Sequence, residues 1–316
     1  MQINLQLFKK TPRKRGVNTK LLKQRLEKLH VVAIIPAFNE EKRISTVLNI
    51  VCKYPYIDEI IVVDDGSEDN TYALVKNISA NCLKLKVYKL RKNQGKTKAM
   101  LHGVQKAKSA DILVFLDADL KNLPKDYIDK MLYYLVSGQY DMTILDRLSD
   151  RKGPMGILAL ARFFGGERAV WKKDFVQIDF SKTQGYEIES TINLWYLKNN
   201  KRVRTIFAPK LHSEWQFKKW GTIKALQRYL DMFWRIYKKY GLKNFYMQVL
   251  EFDDDTLEEL YSWYKKQKQK KYGKALAKTA VTLGVILGTA GVMTWAFGYD
   301  LLNKIKQSTN EKQKSK

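Results

Sequence analysis

Cysteine and histidine are nearly absent from this chain, with two of the first and three of the second among 316 residues. Cys52 and Cys82 both fall in apolar periodic segments, which argues against a disulfide, a metal cluster or a nucleophile and for two buried reduced thiols in a reducing compartment. A secretory signal is also missing, because residues 1–10 lack an apolar core of about 7 to 15 residues. There is neither a P-loop nor a Gly-x-Gly-x-x-Gly, so ATPase and dinucleotide readings lack support. Acids are scarce: 32 Asp and Glu stand against 58 Lys and Arg, a formal net charge of +26. That surplus calls for a polyanionic partner, whether nucleic acid, an anionic membrane surface or a phosphorylated substrate. What the chain does have is apolar material, 45% hydrophobic and 12% aromatic. It can bury a core, which excludes general disorder, and its length suits one α/β domain of about 200 to 250 residues with appendages.

Residues 9–28 are basic, with Leu21, Leu22, Leu26 and Leu29 as an apolar stripe. They read as a basic arm and a short helix, either solvated or in contact with a membrane surface. From residue 30 strand-like and helix-like segments alternate. Residues 31–35 form a β-branched run stopped by Pro36, and Ile44, Val47, Leu48 and Val51 then recur at helical spacing. Residues 60–63 and 85–87 read as further strands, with Asp69 or Asn70 capping the helix between them. Residues 95–107 read as a helix and 112–116 as a fourth strand. This order implies a largely parallel sheet covered by helices on both faces.

In such a sheet the strand exits share one edge, where open α/β sheets bind ligands. The exits here are polar: PAFNEE at residues 36–41, DDGSEDNT at 64–71 and LDADL at 116–120. Asp117 and Asp119, one residue apart at a strand end, offer hard oxygen ligands suited to Mg²⁺ or Mn²⁺, which would in turn hold nucleotide phosphates. For an isolated pair, an acidic turn is the simpler reading. The three exits together describe a nucleotide site.

The blocks IIPAFNEE (34–41), EIIVVDDGSEDNT (59–71), KNQGKTKAM (92–100) and ILVFLDADL (112–120) resemble, in order and spacing, the nucleotide-sugar domain of family 2 glycosyltransferases. The resemblance implies the GT-A fold, a Rossmann-like α/β architecture with a mostly parallel sheet. It also implies that Pro36, Ala37, Phe38, Asn39, Glu40, Asp64 and Asp65 hold the nucleoside and that Lys96 approaches the diphosphate. Asp117 would touch the ribose or sugar and Asp119 the metal, Mg²⁺ or Mn²⁺. Further on, GGERA (165–169) resembles a Gly-x-Arg-Ala block of these enzymes, in which Arg168 offers a planar donor fork to phosphate. GYEIE (185–189) resembles the Gly-Tyr-x-x-Glu block of glucosyl-3-phosphoglycerate synthases and related lipid glycosyltransferases. There Tyr186 would line the acceptor and Glu189 would orient or deprotonate it, with a helix cap as the alternative. The segment around His212 resembles the block that supplies a histidine to the metal.

The last third mixes aromatics with lysine and arginine over residues 215–247 and then runs without charge from 279 to 299. At 1.5 Å per residue that run is long enough to cross a hydrocarbon core of about 30 Å. More lysines precede it than follow it, which places the preceding domain in the cytoplasm. The expected plan is therefore a basic arm (1–29), a GT-A domain (30–215), basic aromatic amphipathic helices lying on the bilayer (216–274), one transmembrane helix (275–302) and a basic tail (303–316). Gly284 and Gly288 form a small-residue face on which two spans could pair as a homodimer. The expected partners are a nucleotide-sugar donor, a lipid or lipid-phosphate acceptor and an anionic membrane surface, with nucleic acid set aside. Two alternatives stand beside this: transfer to a small phosphorylated acceptor, or a non-catalytic binder of anionic lipid or nucleic acid on a transferase scaffold.

Overall fold

The structure is a computed structural model that describes residues 17–146, 165–183, 187–208, 210–213, 238 and 253–254. The chain divides into two compact units, residues 1–150 with 163–256 and residues 151–162 with 257–316; every described residue lies in the first.

An eight-stranded sheet runs through this unit. In chain order its strands are β1 (Val31–Ala37), β2 (Glu59–Asp64), β3 (Leu85–Lys89), β4 (Ile112–Phe115), β6 (Met142–Asp146), β7 (Arg168–Trp171), β8 (Val203–Phe207) and β10 (Asp253–Asp254). Their spatial order is β10-β8-β6-β7-β4-β1-β2-β3, and all neighbours are parallel except those of β7, which runs against both β4 and β6. A separate two-stranded ladder pairs β5 (Leu120–Asn122) with β9 (His212–Ser213). The helices are α1 (Thr19–Leu26), α2 (Ile44–Val51), α3 (Thr71–Ser79), α4 (Lys96–Lys106), α5 (Lys125–Val136), α6 (Lys172–Phe175) and α7 (Glu187–Lys198).

Continuous apolar strands arise because both faces of the sheet are covered. Val31, Ala33 and Ile35 of β1, with Ile60 and Val62 of β2, point to a core shared with α1, α2 and α5. Val32, Ile34, Ile61 and Val63 point the other way, to a core shared with α4 and α7. Burying each such side chain contributes about 1.5–3 kcal/mol, so the central strands fix the register of everything attached to them.

Several expectations change. β1 does not stop at Pro36 but continues to Ala37, pairing with Val63 and Asp64. The ladder to β4 has ended by then, at Ile34 opposite Phe115, so Pro36 has one neighbour and its missing N–H is tolerated as at an edge. The leucine stripe of the arm faces inward: Leu22 and Leu26 of α1 are buried and join the core with α5. Cys52 and Cys82 are not free thiols. They form a disulfide, with Cα atoms 6.0 Å apart, because α2 and α3 pack side by side and bring their carboxyl ends together. A reducing compartment therefore cannot be read from them.

The stretch expected to hold interfacial helices contributes β10, which pairs with Arg204 and Thr205 at the sheet edge. The single-pass membrane reading is not upheld. Among the described residues no helix is long and apolar enough to cross a membrane, and residues 275–302, on which that reading rested, lie outside them. The readings that hung on the span go with it: the cytoplasmic single-pass placement, contact with an anionic membrane surface and homodimer pairing through Gly284 and Gly288.

Candidate active site

The parallel pairing of β1, β2 and β4 brings the segments after Ala37, Asp64 and Phe115 to one edge of the sheet. Side chains lace the first two segments together. Asn39, in the left-handed region at φ 55°, donates its N–H to Ser67 Oγ (2.9 Å) and accepts from the N–H of Glu68 through Oδ1 (3.0 Å). The Glu40 N–H donates to Thr71 Oγ1 at 2.8 Å, and the Glu40 carboxylate pairs with Arg43. The Glu41 N–H reaches Asp69 Oδ2 at 3.2 Å, while Asp69 Oδ1 accepts from the N–H of Thr71, so Asp69 supplies the side-chain cap of α3 and Asn70 does not.

Of the first block, then, Pro36 and Ala37 are strand residues and Glu40 is engaged internally. Phe38 is exposed, and Asn39 is half-buried beside it.

Asp64 and Asp65 hold the turn and the start of α4. Asp64, fully buried, accepts the Ser67 N–H at 2.9 Å. Gly66 between them has φ +72°, and a Cβ there would fall 2.6 Å from the carbonyl carbon of Lys92, so only glycine fits. Asp65 accepts the N–H groups of Gln94 and Gly95, each at 2.8 Å. Its pKa is raised above the ordinary carboxylate value by burial; the two N–H donors oppose that shift and Asp64 adds to it.

The densest charge lies across the crevice, where α4 and α7 face the segment after β4. Lys96 Nζ, in the first turn of α4, is 2.9 Å from Asp117 Oδ1 and 2.8 Å from Glu189 Oε1. Burial works against the ammonium, but the charges and hydrogen bonds of the two carboxylates outweigh it and hold the Lys96 pKa above the ordinary lysine range. Glu189 is 2% exposed on the first turn of α7. Gly166 closes the other side: a Cβ there would lie 2.6 Å from Asp117 Oδ2 and 2.7 Å from Cγ.

Arg168 is not placed as a donor fork for a ligand. It is fully buried in β7, giving its guanidinium to Gly165 O (2.7 Å) and Asn193 Oδ1 (3.1 Å), with Glu189 O at 3.4 Å. Burial lowers its pKa against the pull of Glu189, Glu167 and Asp117. Arg168 is the strut behind Gly165, Gly166 and Glu189. Asn193 was not anticipated, although its signal was available as a polar residue four positions after Glu189 on an apolar helix face.

Asp119 is half-buried, immediately before β5. The β5–β9 ladder sets the backbone of His212 opposite Asn122 and so brings that segment back beside the Asp117–Asp119 loop. Tyr186 lies outside the described residues. Among the described residues no three His, Cys, Asp or Glu side chains gather closely enough to hold a metal alone. Mg²⁺ and Mn²⁺ are commonly held by one or two carboxylates plus substrate phosphates, and a half-buried Asp119 at the crevice fits an ion of that kind.

Fold and site thus define a class: a doubly covered α/β domain with a polar crevice at the carboxyl edge of its parallel strands, lined by acids and a half-buried lysine. The model of glycosyl transferase family 2 matches residues 32–201, more than half of the chain, and the chain belongs to that family.

It is similar to the UDP-N-acetylglucosamine–dolichyl-phosphate N-acetylglucosaminyltransferase of Methanococcus voltae, 35% identical over 136 residues that make up 39% of this chain and 53% of the relative. The dodecaprenyl-phosphate galacturonate synthase of Rhizobium johnstonii is 32% identical over 133 residues, 40% of this chain and 39% of that one. The chain therefore spans about half or less of the length of the curated relatives it matches. Among solved structures it resembles glucosyl-3-phosphoglycerate synthase of Mycobacterium tuberculosis in complex with Mn²⁺, uridine diphosphate and phosphoglyceric acid. There the TM-score is 0.56 at 19% identity, over 77% of this chain and 86% of that one. This likeness establishes the GT-A fold.

Proposed function

We propose that the chain is a metal-assisted transferase that moves a sugar from a nucleotide-sugar donor to the hydroxyl of a small phosphorylated acceptor. Glu189 carries this reading, as a buried carboxylate at the crevice with Oε1 2.8 Å from Lys96 Nζ. A hydroxyl is a poor nucleophile and needs a base, whereas the phosphate oxygen of a lipid phosphate is already an anion and needs none. A dedicated buried carboxylate therefore favours a hydroxyl acceptor.

In this scheme Phe38 and Asn39 border the nucleoside and Lys96 faces the diphosphate. Asp117 contacts the ribose or sugar. Glu189 takes the acceptor proton as the new glycosidic bond forms and the bond to the diphosphate breaks. Asp119 would hold Mg²⁺ or Mn²⁺, which when bound neutralises charge on the departing diphosphate. A similar solved structure, a glucosyl-3-phosphoglycerate synthase, holds Mn²⁺, uridine-diphosphate-glucose and phosphoglyceric acid, which supports a divalent ion and an acceptor of this kind. The relatives named for dolichyl or dodecaprenyl phosphate also use phosphorylated acceptors, so phosphate is common to both groups. A lipid acceptor held at a membrane surface loses its basis here, since it rested on the membrane span.

The test supplies purified chain with Mn²⁺, a panel of nucleotide sugars and either 3-phosphoglycerate or a polyprenyl phosphate, and identifies products by mass spectrometry. Glycosylated phosphoglycerate is expected, with Glu189→Gln slower by about 10²- to 10⁴-fold at nearly unchanged affinity for uridine diphosphate. Product on the polyprenyl phosphate alone would sink the acceptor assignment. No turnover of any nucleotide sugar would sink the enzyme reading.

A further inference from the structure

A cavity of about 480 Å³ opens between the start of α2 and β5, lined by Lys42, Arg43, Thr46, Leu120 and Lys121. Its walls follow β1 and β4, neighbouring parallel strands whose onward connections go opposite ways: β2 and β3 lie beyond β1, and β7 and β6 beyond β4. The donor crevice opens at the exits of the same two strands, so the cavity lies beside it. None of Phe38, Asn39, Asp65, Lys96, Asp117, Asp119 and Glu189 lines the cavity, which has its own set of side chains.

Among the described residues the lining is cationic. Glu40 pairs with Arg43 and offsets its charge, Glu41 Oε2 accepts the N–H of Asn70 at 2.7 Å, and Asp119 precedes Leu120 without lining the cavity. Arg43 also reaches Asn39 O at 3.3 Å, which fixes its guanidinium at the inner wall. Lys42 and Lys121 are exposed at the rim, Thr46 adds a hydroxyl, and Leu120 is the apolar side chain among the described lining residues. A lining of cations and a hydroxyl without a carboxylate disfavours a metal ion and favours an anion with several acceptor oxygens. The volume falls within the range of about 300–1,000 Å³ usual for small-molecule sites, more than a bare phosphate fills.

We propose that this cavity is a phosphate-binding site, separate from the donor crevice, that receives the phosphomonoester group of a larger molecule. The site does not rest on the transfer reading, because Lys42, Thr46 and Lys121 have no part in that chemistry.

The experiment titrates the full chain calorimetrically with glycerol 3-phosphate, and separately measures binding to vesicles with and without phosphatidic acid. Both are repeated on Lys42→Ala/Lys121→Ala and on Thr46→Val, with uridine diphosphate and Mn²⁺ as the control for the donor crevice. Saturable, salt-sensitive binding of glycerol 3-phosphate is expected, with no gain from phosphatidic acid in the vesicles. It should be weakened about tenfold or more in the double variant, with affinity for uridine diphosphate unchanged. Three results would overturn the site: glycerol 3-phosphate does not bind the native chain, whether or not the vesicles do; the double variant binds it as tightly; or uridine diphosphate binding falls in parallel.

Discussion

At the scale of single residues, Lys96 stands between two acids, Asp117 and Glu189. Its raised pKa keeps it charged from neutral to strongly alkaline pH, so the contribution of its ion pairs is present below the ordinary lysine value and is lost only above it. Asp65 has the same sign in a lower pH window. Because burial raises its folded pKa, the unfolded chain loses its proton first, and stability falls as pH rises between the ordinary aspartate value and the raised one. Urea unfolding across mildly acidic pH should show that decline in the native chain and a flatter profile in Asp65→Asn. Asp65, Asp117, Lys96 and Glu189 were legible in the sequence as polar residues at strand exits or helix starts. Their use was not. Asp65 clamps Gln94 and Gly95, and Arg168, expected as a donor fork to phosphate, is a buried strut, because only the paired strands decide which way a side chain faces.

At the scale of elements, β7 is the clearest case of something the pattern of residues left unread. Arg168 and Ala169 drew notice only as part of the Gly-x-Arg-Ala block, but with Val170 they form an antiparallel strand between β4 and β6. That insertion delivers Gly166 to Asp117. Gly166→Ala should therefore displace the Asp117 carboxylate, costing about 1–3 kcal/mol of stability as overpacking does. The loss in turnover should exceed what the change in denaturation midpoint explains. The disulfide belongs to the same scale. Thirty residues apart in sequence, Cys52 and Cys82 gave no sign of pairing until α2 and α3 were seen side by side. Cys52→Ser is expected to lower stability by about 2–4 kcal/mol under oxidising conditions and to leave it unchanged under strong reductant, read by thermal unfolding with and without dithiothreitol.

At the scale of the whole molecule, β1, β2 and β4 were readable because a sheet covered on both faces demands uninterrupted apolar runs, and β6 and β8 carry the same signature. The edge strand β10 was not readable. β10 carries two aspartates, and a two-residue charged edge strand has no apolar signature to read. An ion held by one or two carboxylates together with substrate phosphates leads to a metal prediction. Mn²⁺ alone should barely move the melting temperature, while Mn²⁺ with uridine diphosphate should raise it by mass action, and EDTA should stop turnover without unfolding the chain. The lacing of Asn39, Glu40 and Glu41 to Ser67, Thr71 and Asp69 has one more consequence, in conformational entropy. The backbone freedom of both rim segments is surrendered during folding, so a ligand arriving later has little left to order. The amides of Asn39, Glu40 and Glu68 should already exchange slowly with deuterium in the empty protein, and filling the crevice should slow them little further.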